Sequence, residues 1–174
     1  FDRNPHYVTV SPSGHREKQS GLENHGFFGM GIKKDMKYDF SIYARLNLLQ
    51  GKSTKFRVEL VGEDDVPICQ DTIVVTNNQW QKYTATLSSD KTIEKAFMRI
   101  FLMSGESVDL DHISLMPQDN WHGMRADLVK DLADLHPGVF RFPGGCIVEG
   151  TDLATRYQWK NTVGDPENRP LNEN

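Results

Sequence analysis

Residues 139–150 read VFRFPGGCIVEG, and this stretch decides how the second half of the chain is organised. We predict a short apolar strand over residues 139–142, which Pro143 ends because proline has no backbone N–H to donate to a sheet. The two glycines that follow allow a sharp turn. A strand that carries a charge, Arg141, and leads into a Gly-rich turn is typical of an active-site loop at the rim of an α/β barrel. A plain buried strand with Arg141 in a salt bridge explains the same residues.

An amphipathic helix precedes this strand, with Asp119 and Asn120 as candidate N-cap residues. The apolar residues that recur at helical spacing are Met124, Leu128, Leu132 and Leu135. A helix, a three-residue turn and a strand form half of a βα repeat, and one repeat cannot bury both faces of its strand. Residues 119–174 are therefore predicted to be a helix–strand fragment of a larger (β/α)8 barrel. Within it, residues 151–174 are expected to form a polar surface loop anchored by Trp159.

Residues 1–118 are predicted to form only β-strands and loops, because their apolar and polar residues alternate with a period of two. Eight short strands at near-regular spacing indicate a jelly-roll β-sandwich of the galactose-binding-like kind. The predicted strands cover residues 6–10, 27–32, 38–47, 56–60, 68–75, 80–87, 96–103 and 108–116. In the last of them the apolar parity switches between Leu110 and Ile113, which predicts a β-bulge. Pro117 then ends this half of the chain.

Composition excludes several classes of function. The 174 residues carry a net charge of −4, so neither nucleic acid nor an anionic membrane is favoured as a partner. Charged residues make up 25% of the chain and hydrophobic residues 37%, which is ordinary for a globular protein. No apolar run is long enough to span a bilayer. The chain starts at Phe1 without a signal peptide and ends in a polar stretch, so we expect a piece of a longer protein.

The two cysteines, Cys69 and Cys146, belong to no CxxC pair and to no spacing that suits zinc. We interpret them as two separate thiols, although the sequence leaves a disulfide between them open. Cys146 beside the Gly-rich turn is either a nucleophile or a small semi-apolar filler, and no partner histidine stands out.

Two motifs near the C-terminal end carry a family resemblance, RFPGGCIVEG and WKNTVGDPENRP. With the residues around them, over about 121–174, they resemble the retaining α-L-arabinofuranosidases of glycoside hydrolase family 51. More loosely, GLENHGFFGMGIKKDMKYDFSIYAR, NNQWQKYTATL and VDLDHISLMP are similar to the jelly-roll module of that family and to carbohydrate-binding modules. The resemblance implies two domains, a carbohydrate-binding-like β-sandwich over residues 1–118 and a partial catalytic barrel over residues 119–174.

The resemblance also implies an activity, the hydrolysis of terminal α-L-arabinofuranosyl groups of plant polysaccharides or oligosaccharides. Retaining chemistry uses two carboxyl groups about 5 Å apart. In the family both glutamates lie on later barrel strands, so we expect no catalytic residue in this chain and no hydrolysis by it alone. No metal or cofactor is expected. Arabinose-containing glycans are the expected partners, and a periplasmic or extracellular location is expected. Homo-oligomerisation of the full-length enzyme is left open.

Four positions match the family's site. Arg141 corresponds to an arginine that steadies the catalytic carboxylates, since a fixed guanidinium lowers the pKa of a neighbouring carboxyl group. Gly144, Gly145 and Cys146 correspond to the loop that lines the sugar subsite. Some members have asparagine at the Cys146 position, where an amide binds a sugar hydroxyl better than a thiol does. Glu149 is interpreted as a loop carboxylate that pairs with a nearby Arg or Lys.

A non-catalytic glycan-binding module that targets an attached enzyme is the alternative function. Such modules stack sugars on exposed aromatic rings, and Tyr43, Trp80 and Trp121 are the candidates, with Trp80 also explained as a strand-end anchor. Asp109 and Asp111 are candidates for a structural Ca²⁺, although no dense carboxylate cluster accompanies them. A row of exposed aromatics on one sheet face would favour this alternative, and a featureless face with Arg141 at an open barrel mouth would favour the enzyme.

Overall fold

A computed structural model describes residues 5–13, 19–47, 53–141 and 144–170. The chain forms two compact units, Tyr7–Ala126 and a second made of Phe1–His6 with Asp127–Asn174. In its described part the first unit contains nine strands. They are β1 (Val8–Val10), β2 (Gly21–Asn24), β3 (Met30–Ile32), β4 (Lys37–Leu46), β5 (Thr54–Val61), β6 (Pro67–Val75), β7 (Gln81–Ser88), β8 (Ile93–Ser104) and β9 (Val108–Pro117).

The strands form two antiparallel sheets, in the orders β1-β9-β4-β7 and β2-β8-β5-β6, and β3 also pairs with β8. The core lies between the inner faces of these sheets. In β4 the alternating residues from Tyr38 to Leu46 are buried while their neighbours are not. This is the period that the sequence predicts, since successive side chains of a strand point to opposite faces. The β-sandwich prediction is confirmed.

The predicted β-bulge is confirmed in β9. Ser41 of β4 pairs with Ser114, whereas Tyr43 pairs with Asp111, so β9 carries one more residue than β4 across this step. His112 lies at the bulge with a φ of 45°, a left-handed conformation that few non-glycine residues adopt. The extra residue explains why the apolar parity of β9 changes at this point.

Two features of the sandwich differ from the sequence prediction. No predicted strand covers β2, yet it pairs with β8 from Gly21 opposite Phe101 to Asn24 opposite Met98. Its polar residues carry a weak strand signal, and the central strand beside it supplies the hydrogen bonds that order it. The strand predicted over residues 27–32 is shorter, because Phe27 and Phe28 belong to an exposed turn before β3.

After β9, the described residues form two helices, α1 (Ala126–Asp134) and α2 (Cys146–Glu149), and two 3₁₀ turns, Trp159–Thr162 and Pro166–Asn168. Helix α1 confirms the amphipathic pattern but begins later than predicted. Asn120 does not cap it. Instead its amide donates to Pro117 O at 2.6 Å and its Oδ1 accepts from the Gly123 N–H at 2.8 Å, which closes a turn before the helix. Gly123 has a φ of 82°, a conformation that a helix cannot include.

The strand predicted over residues 139–142 is not present in its described part, residues 139–141. Val139 and Phe140 are largely exposed there. A strand of a parallel sheet needs hydrogen-bonding neighbours on its sides, and no described residue of this chain supplies one. Phe142 and Pro143 lie outside the described residues. Among the described residues, no helix has the length and apolarity that crossing a bilayer would require.

Candidate functional site

The four residues predicted to form the site lie within one short arc of the second unit. Arg141 is exposed, and its Nε lies 3.9 Å from where a β-carbon on Gly144 would be. Gly145 adopts a φ of 85° and directly precedes α2, whose first residue is Cys146. The Val148 N–H donates to Gly145 O at 3.1 Å and closes the turn. The arc thus presents a guanidinium, two bare backbone segments and a thiol.

The described thiols are both free. Cys146 is exposed, whereas Cys69 on β6 is half-buried, which raises the pKa of its thiol above the ordinary value. The prediction of two separate thiols is confirmed. A charged thiolate is disfavoured by loss of water, so burial lowers the reactivity of the Cys69 thiol.

The chain after α2 turns back against the helix. Gly150 has a φ of 64°, and a β-carbon added to it would lie 2.6 Å from the Arg156 nitrogen. Only glycine fits this close approach. The Tyr157 N–H donates to Val148 O at 3.2 Å, which satisfies a carbonyl at the end of α2. Glu149 is exposed and pairs with no described Arg or Lys, so the predicted pairing is not formed among the described residues.

In the sandwich, an ionic network crosses the outer face of the sheet β2-β8-β5-β6. Arg99 of β8 lies opposite Glu23 of β2 on one side and Glu59 of β5 on the other. Its guanidinium bonds to Glu23 Oε1 at 2.7 Å, Asp65 Oδ1 at 2.5 Å and Glu59 Oε1 at 3.4 Å. Arg57 Nε lies 3.3 Å from Glu59 Oε2 without hydrogen-bond geometry. One buried carboxylate is therefore balanced by two arginines.

The network shifts the titration of its members. The hydrogen bond to Asp65 is the main cause that raises the pKa of Arg99 above its ordinary value. The hydrogen bond from Arg99, followed by that from His25, lowers the pKa of Glu23. Each shift favours the charged form of its group, as an opposite charge within hydrogen-bond distance does.

Two phenylalanines flank Arg99 on this face, and both are covered by other side chains. Phe97 stacks against His25 with ring centroids 4.6 Å apart, and the Arg99 guanidinium lies 5.2 Å from its centroid. Phe101 carries the Arg57 guanidinium at 4.3 Å. Both rings are less than 10% exposed. Among the described residues, this face offers no row of open aromatic rings for sugars to stack on.

The outer face of the other sheet holds a second cluster, around Arg45 of β4. Its guanidinium lies 4.6 Å from the Trp80 centroid and 5.0 Å from that of Tyr7. Arg45 Nε also bonds to Asp109 Oδ2 at 2.9 Å. The Arg45 guanidinium therefore covers one side of the Trp80 ring, as expected of a strand-end anchor.

Asp109 does not have the environment of a Ca²⁺ ligand. Its Oδ1 accepts hydrogen bonds from Thr9 and Asn47, each at 2.8 Å, and Arg45 takes the other oxygen. Asp111 Oδ1 accepts from the His112 N–H at 2.7 Å. No group of three or more potential metal ligands occurs among the described residues. These hydrogen bonds satisfy both carboxyl oxygens of Asp109, which is 2% exposed.

The other two aromatic candidates, Tyr43 and Trp121, each contact a histidine ring. Tyr43 packs edge-on to His112 at 6.0 Å, with Lys82 Nζ 5.9 Å from its ring. Trp121 is half exposed in the loop after β9, against His122. The aromatics that sequence reasoning missed are Phe27 and Phe28, which are almost fully exposed beside an open groove of about 520 Å³. Two consecutive phenylalanines between glycines were the available signal.

Comparison with known proteins separates the two halves of the chain. The model of the Carbohydrate binding domain family matches residues 4–107, more than half of the chain. The chain belongs to the carbohydrate-binding domain family. The Alpha-L-arabinofuranosidase 1 domain matches residues 131–174, which include the Arg141 arc. Residues 131–174 are therefore similar to part of an arabinofuranosidase domain, and the resemblance found in the sequence is confirmed.

Two sequence relatives and one solved structure show how much of this chain, and of each similar protein, the similarity covers. An extracellular exo-α-L-arabinofuranosidase of Streptomyces chartreusis is 31% identical over 99% of this chain and 21% of its own length. The α-L-arabinofuranosidase 1 of Arabidopsis thaliana is 34% identical over 86% of this chain and 22% of its own length. The arabinose-bound MgGH51 α-L-arabinofuranosidase structure superposes with a TM-score of 0.78 and 26% identity, over 97% of this chain and 30% of that one. The chain thus spans about a fifth of the length of the Streptomyces chartreusis and Arabidopsis thaliana relatives.

Proposed function

We propose that this chain is part of a retaining α-L-arabinofuranosidase that removes terminal α-L-arabinofuranosyl groups from plant polysaccharides or oligosaccharides. The observation that carries the proposal is the match of residues 131–174 to the arabinofuranosidase domain, because these residues contain the Arg141 arc. The relatives from Streptomyces chartreusis and Arabidopsis thaliana support it through their names. Arabinose-containing glycans are the substrates that the proposal implies.

The arc has a defined part in this proposal. Arg141 would hold the catalytic carboxylates, which lie outside this chain, and would keep the nucleophile ionised through its fixed positive charge. Gly144 and Gly145 leave the backbone bare, so a sugar ring can approach their peptide groups closely. Cys146 would face the same subsite with a thiol, which is a weak hydrogen-bond donor. Its contribution to binding a sugar hydroxyl is correspondingly small.

Within the enzyme, residues 1–118 would form a structural module and residues 119–174 the start of the catalytic barrel. The covered phenylalanines and the ionic network on the sheet β2-β8-β5-β6 support a structural role, because an occupied face has no open ring for a sugar. The name of the Streptomyces chartreusis relative supports an extracellular location. Homo-oligomerisation of the full-length enzyme stays a proposal of the same kind.

A glycan-binding module is the second candidate function, and one specific observation favours it. Phe27 and Phe28 stand almost fully exposed beside the groove that His25, Glu63 and Lys95 also line. Aromatic rings next to a few polar groups are what sugar-binding sites use.

The test of the first proposal is hydrolysis by the full-length protein. We expect it to release arabinose from an aryl α-L-arabinofuranoside and from arabinose-containing polysaccharides. An aryl β-D-xylopyranoside serves as the control substrate. Turnover of the xyloside with no turnover of the arabinofuranoside would contradict the proposal.

A further inference from the structure

A dense set of hydrogen bonds, unpredicted from the sequence, closes the turn after α2. A single oxygen of Asp152, Oδ1, accepts from the Ala154 N–H at 2.8 Å, the Thr155 N–H at 2.9 Å and the Thr155 hydroxyl at 3.1 Å. The Thr155 hydroxyl oxygen in turn accepts from the N–H groups of Thr151 at 3.0 Å and Asp152 at 3.1 Å. We call Asp152 and Thr155 the clasp.

The clasp fixes where the chain returns to α2. The Arg156 N–H donates to Asp152 O at 3.1 Å, which places the Arg156 backbone against Gly150. The next residue, Tyr157, then donates its N–H to Val148 O. Helix α2 has four residues, and a helix this short is not stable by itself. Its last turn therefore depends on the segment that the clasp folds beneath it. Its first residue, Cys146, belongs to the arc that carries Gly144 and Gly145.

We propose that Asp152 and Thr155 are positioning residues, which hold α2 and through it the Gly144–Cys146 loop in the place where that loop lines the sugar subsite. This inference rests on the proposed function. Neither residue needs to touch the sugar. A loop that lines a subsite must be held to within about 0.5 Å, because small displacements are costly in rate.

The charge of Asp152 agrees with this role. Bonds from the Thr155 backbone, the Thr155 hydroxyl and the Ala154 backbone lower the pKa of its carboxyl group. The carboxylate is therefore charged at neutral pH and is a stronger acceptor than a neutral oxygen. Asp152 is exposed and Thr155 is partly exposed, so replacing either residue leaves no fully buried cavity and no buried charge without a partner.

The experiment uses the full-length enzyme with Asp152→Ala and Thr155→Val, and with Asp152→Asn and Thr155→Ser as conservative variants. Asp131→Ala, an exposed carboxylate on α1, is the matched control. We expect kcat/KM for an aryl α-L-arabinofuranoside to fall about tenfold or more in the first pair, with KM raised. The conservative variants, which keep an acceptor or a hydroxyl, should stay within about threefold of wild type. Unchanged kcat/KM in the first pair would overturn the inference.

A second readout does not depend on activity. The rate at which a thiol reagent modifies Cys146, followed by mass spectrometry of the peptide that contains it, reports on the start of α2. We expect Asp152→Ala to change this rate severalfold, Asp152→Asn to restore it and Asp131→Ala to leave it as in wild type. An Asp152→Ala rate equal to the wild-type rate would refute the clasp. Absence of arabinofuranosidase activity in wild type, with the Cys146 rates changed as expected, would refute only the proposed function.

Discussion

Arg99 and Glu59 lie directly opposite each other in the pairing of β8 with β5, and Nη1 of the arginine is 3.4 Å from Oε1 of the carboxylate. Glu59 is 1% exposed on the outer face of the sheet. A carboxylate with so little water is tolerated because Arg99 and Arg57 flank it. This pair is the centre of the network that covers the sheet.

Replacing Arg99 with Met should destabilise the sandwich by about 2 to 4 kcal/mol, because it leaves the buried Glu59 with one arginine. Urea denaturation of the 174-residue chain measures the free energy of unfolding. The double variant Arg99→Met with Glu59→Leu should be more stable than Arg99→Met alone, since it removes the uncompensated charge. A double variant less stable than the single variant would contradict this account of the network.

The sandwich should lose stability in acid partly through Glu23. Arg99 lowers the folded-state pKa of Glu23 below its ordinary value of 4.5. A lowered carboxyl pKa contributes stability that is present above 4.5 and is lost as the pH falls through the folded-state value. Urea midpoints measured from pH 6 downward should therefore fall less steeply in Glu23→Gln than in wild type. Glu94→Gln, an exposed residue of β8, should follow the wild-type curve.

The sandwich should not bind arabinan or arabinoxylan through its sheet β2-β8-β5-β6, because Phe97 and Phe101 are covered. Affinity gel electrophoresis of the 174-residue chain in these polysaccharides measures binding, and we expect no retardation. Retardation that disappears in Phe27→Ala/Phe28→Ala would instead establish the glycan-binding candidate. Phe97 is unsuitable for this test since its replacement disturbs the packing of His25.

Arg141→Ala in the full-length enzyme should lower kcat for an aryl α-L-arabinofuranoside by about 10²-fold, because the fixed charge beside the carboxylates is lost. Arg141→Lys keeps the charge without the planar fork and should lie between this variant and wild type. The acidic limb of the pH–rate profile should move to higher pH in Arg141→Ala, since the nucleophile would ionise less readily. An unmoved limb with normal kcat would refute the proposed role.

Gly150→Ala should loosen the turn after α2, because its β-carbon would lie 2.6 Å from the Arg156 nitrogen and its φ is 64°. Limited proteolysis of the 174-residue chain, with cleavage sites identified by mass spectrometry, should show faster cutting near residues 150–157. Gly138→Ala is the matched control, since open space surrounds that position. Equal rates in the two variants would show that the close approach does not constrain the turn.

The sequence predicted several features of the sandwich correctly. The alternation over β4 predicted the buried face, and the parity switch in β9 predicted its bulge, because both depend on periods within one strand. Strand β2 was missed because its order comes from pairing with β8, a partner distant in sequence. The strand predicted over residues 139–142 is absent from its described part, residues 139–141, since its pattern requires neighbouring strands that the described residues do not provide.

The sequence by itself determined which residues face the core of the sandwich and which family motifs surround Arg141, because side-chain period and motif spacing are local properties. Only the tertiary structure decided that Glu23, Arg99 and Glu59 lie in one row across three strands. The same structure decided that Glu59, on the outer face of the sheet, is buried. It also decided that Asp152 and Thr155 fold the chain back under α2. Register between strands depends on contacts between residues far apart in the chain, and no local period encodes it. The clasp joins residues only three positions apart, but it lies in a turn, where no repeating pattern predicts its hydrogen bonds.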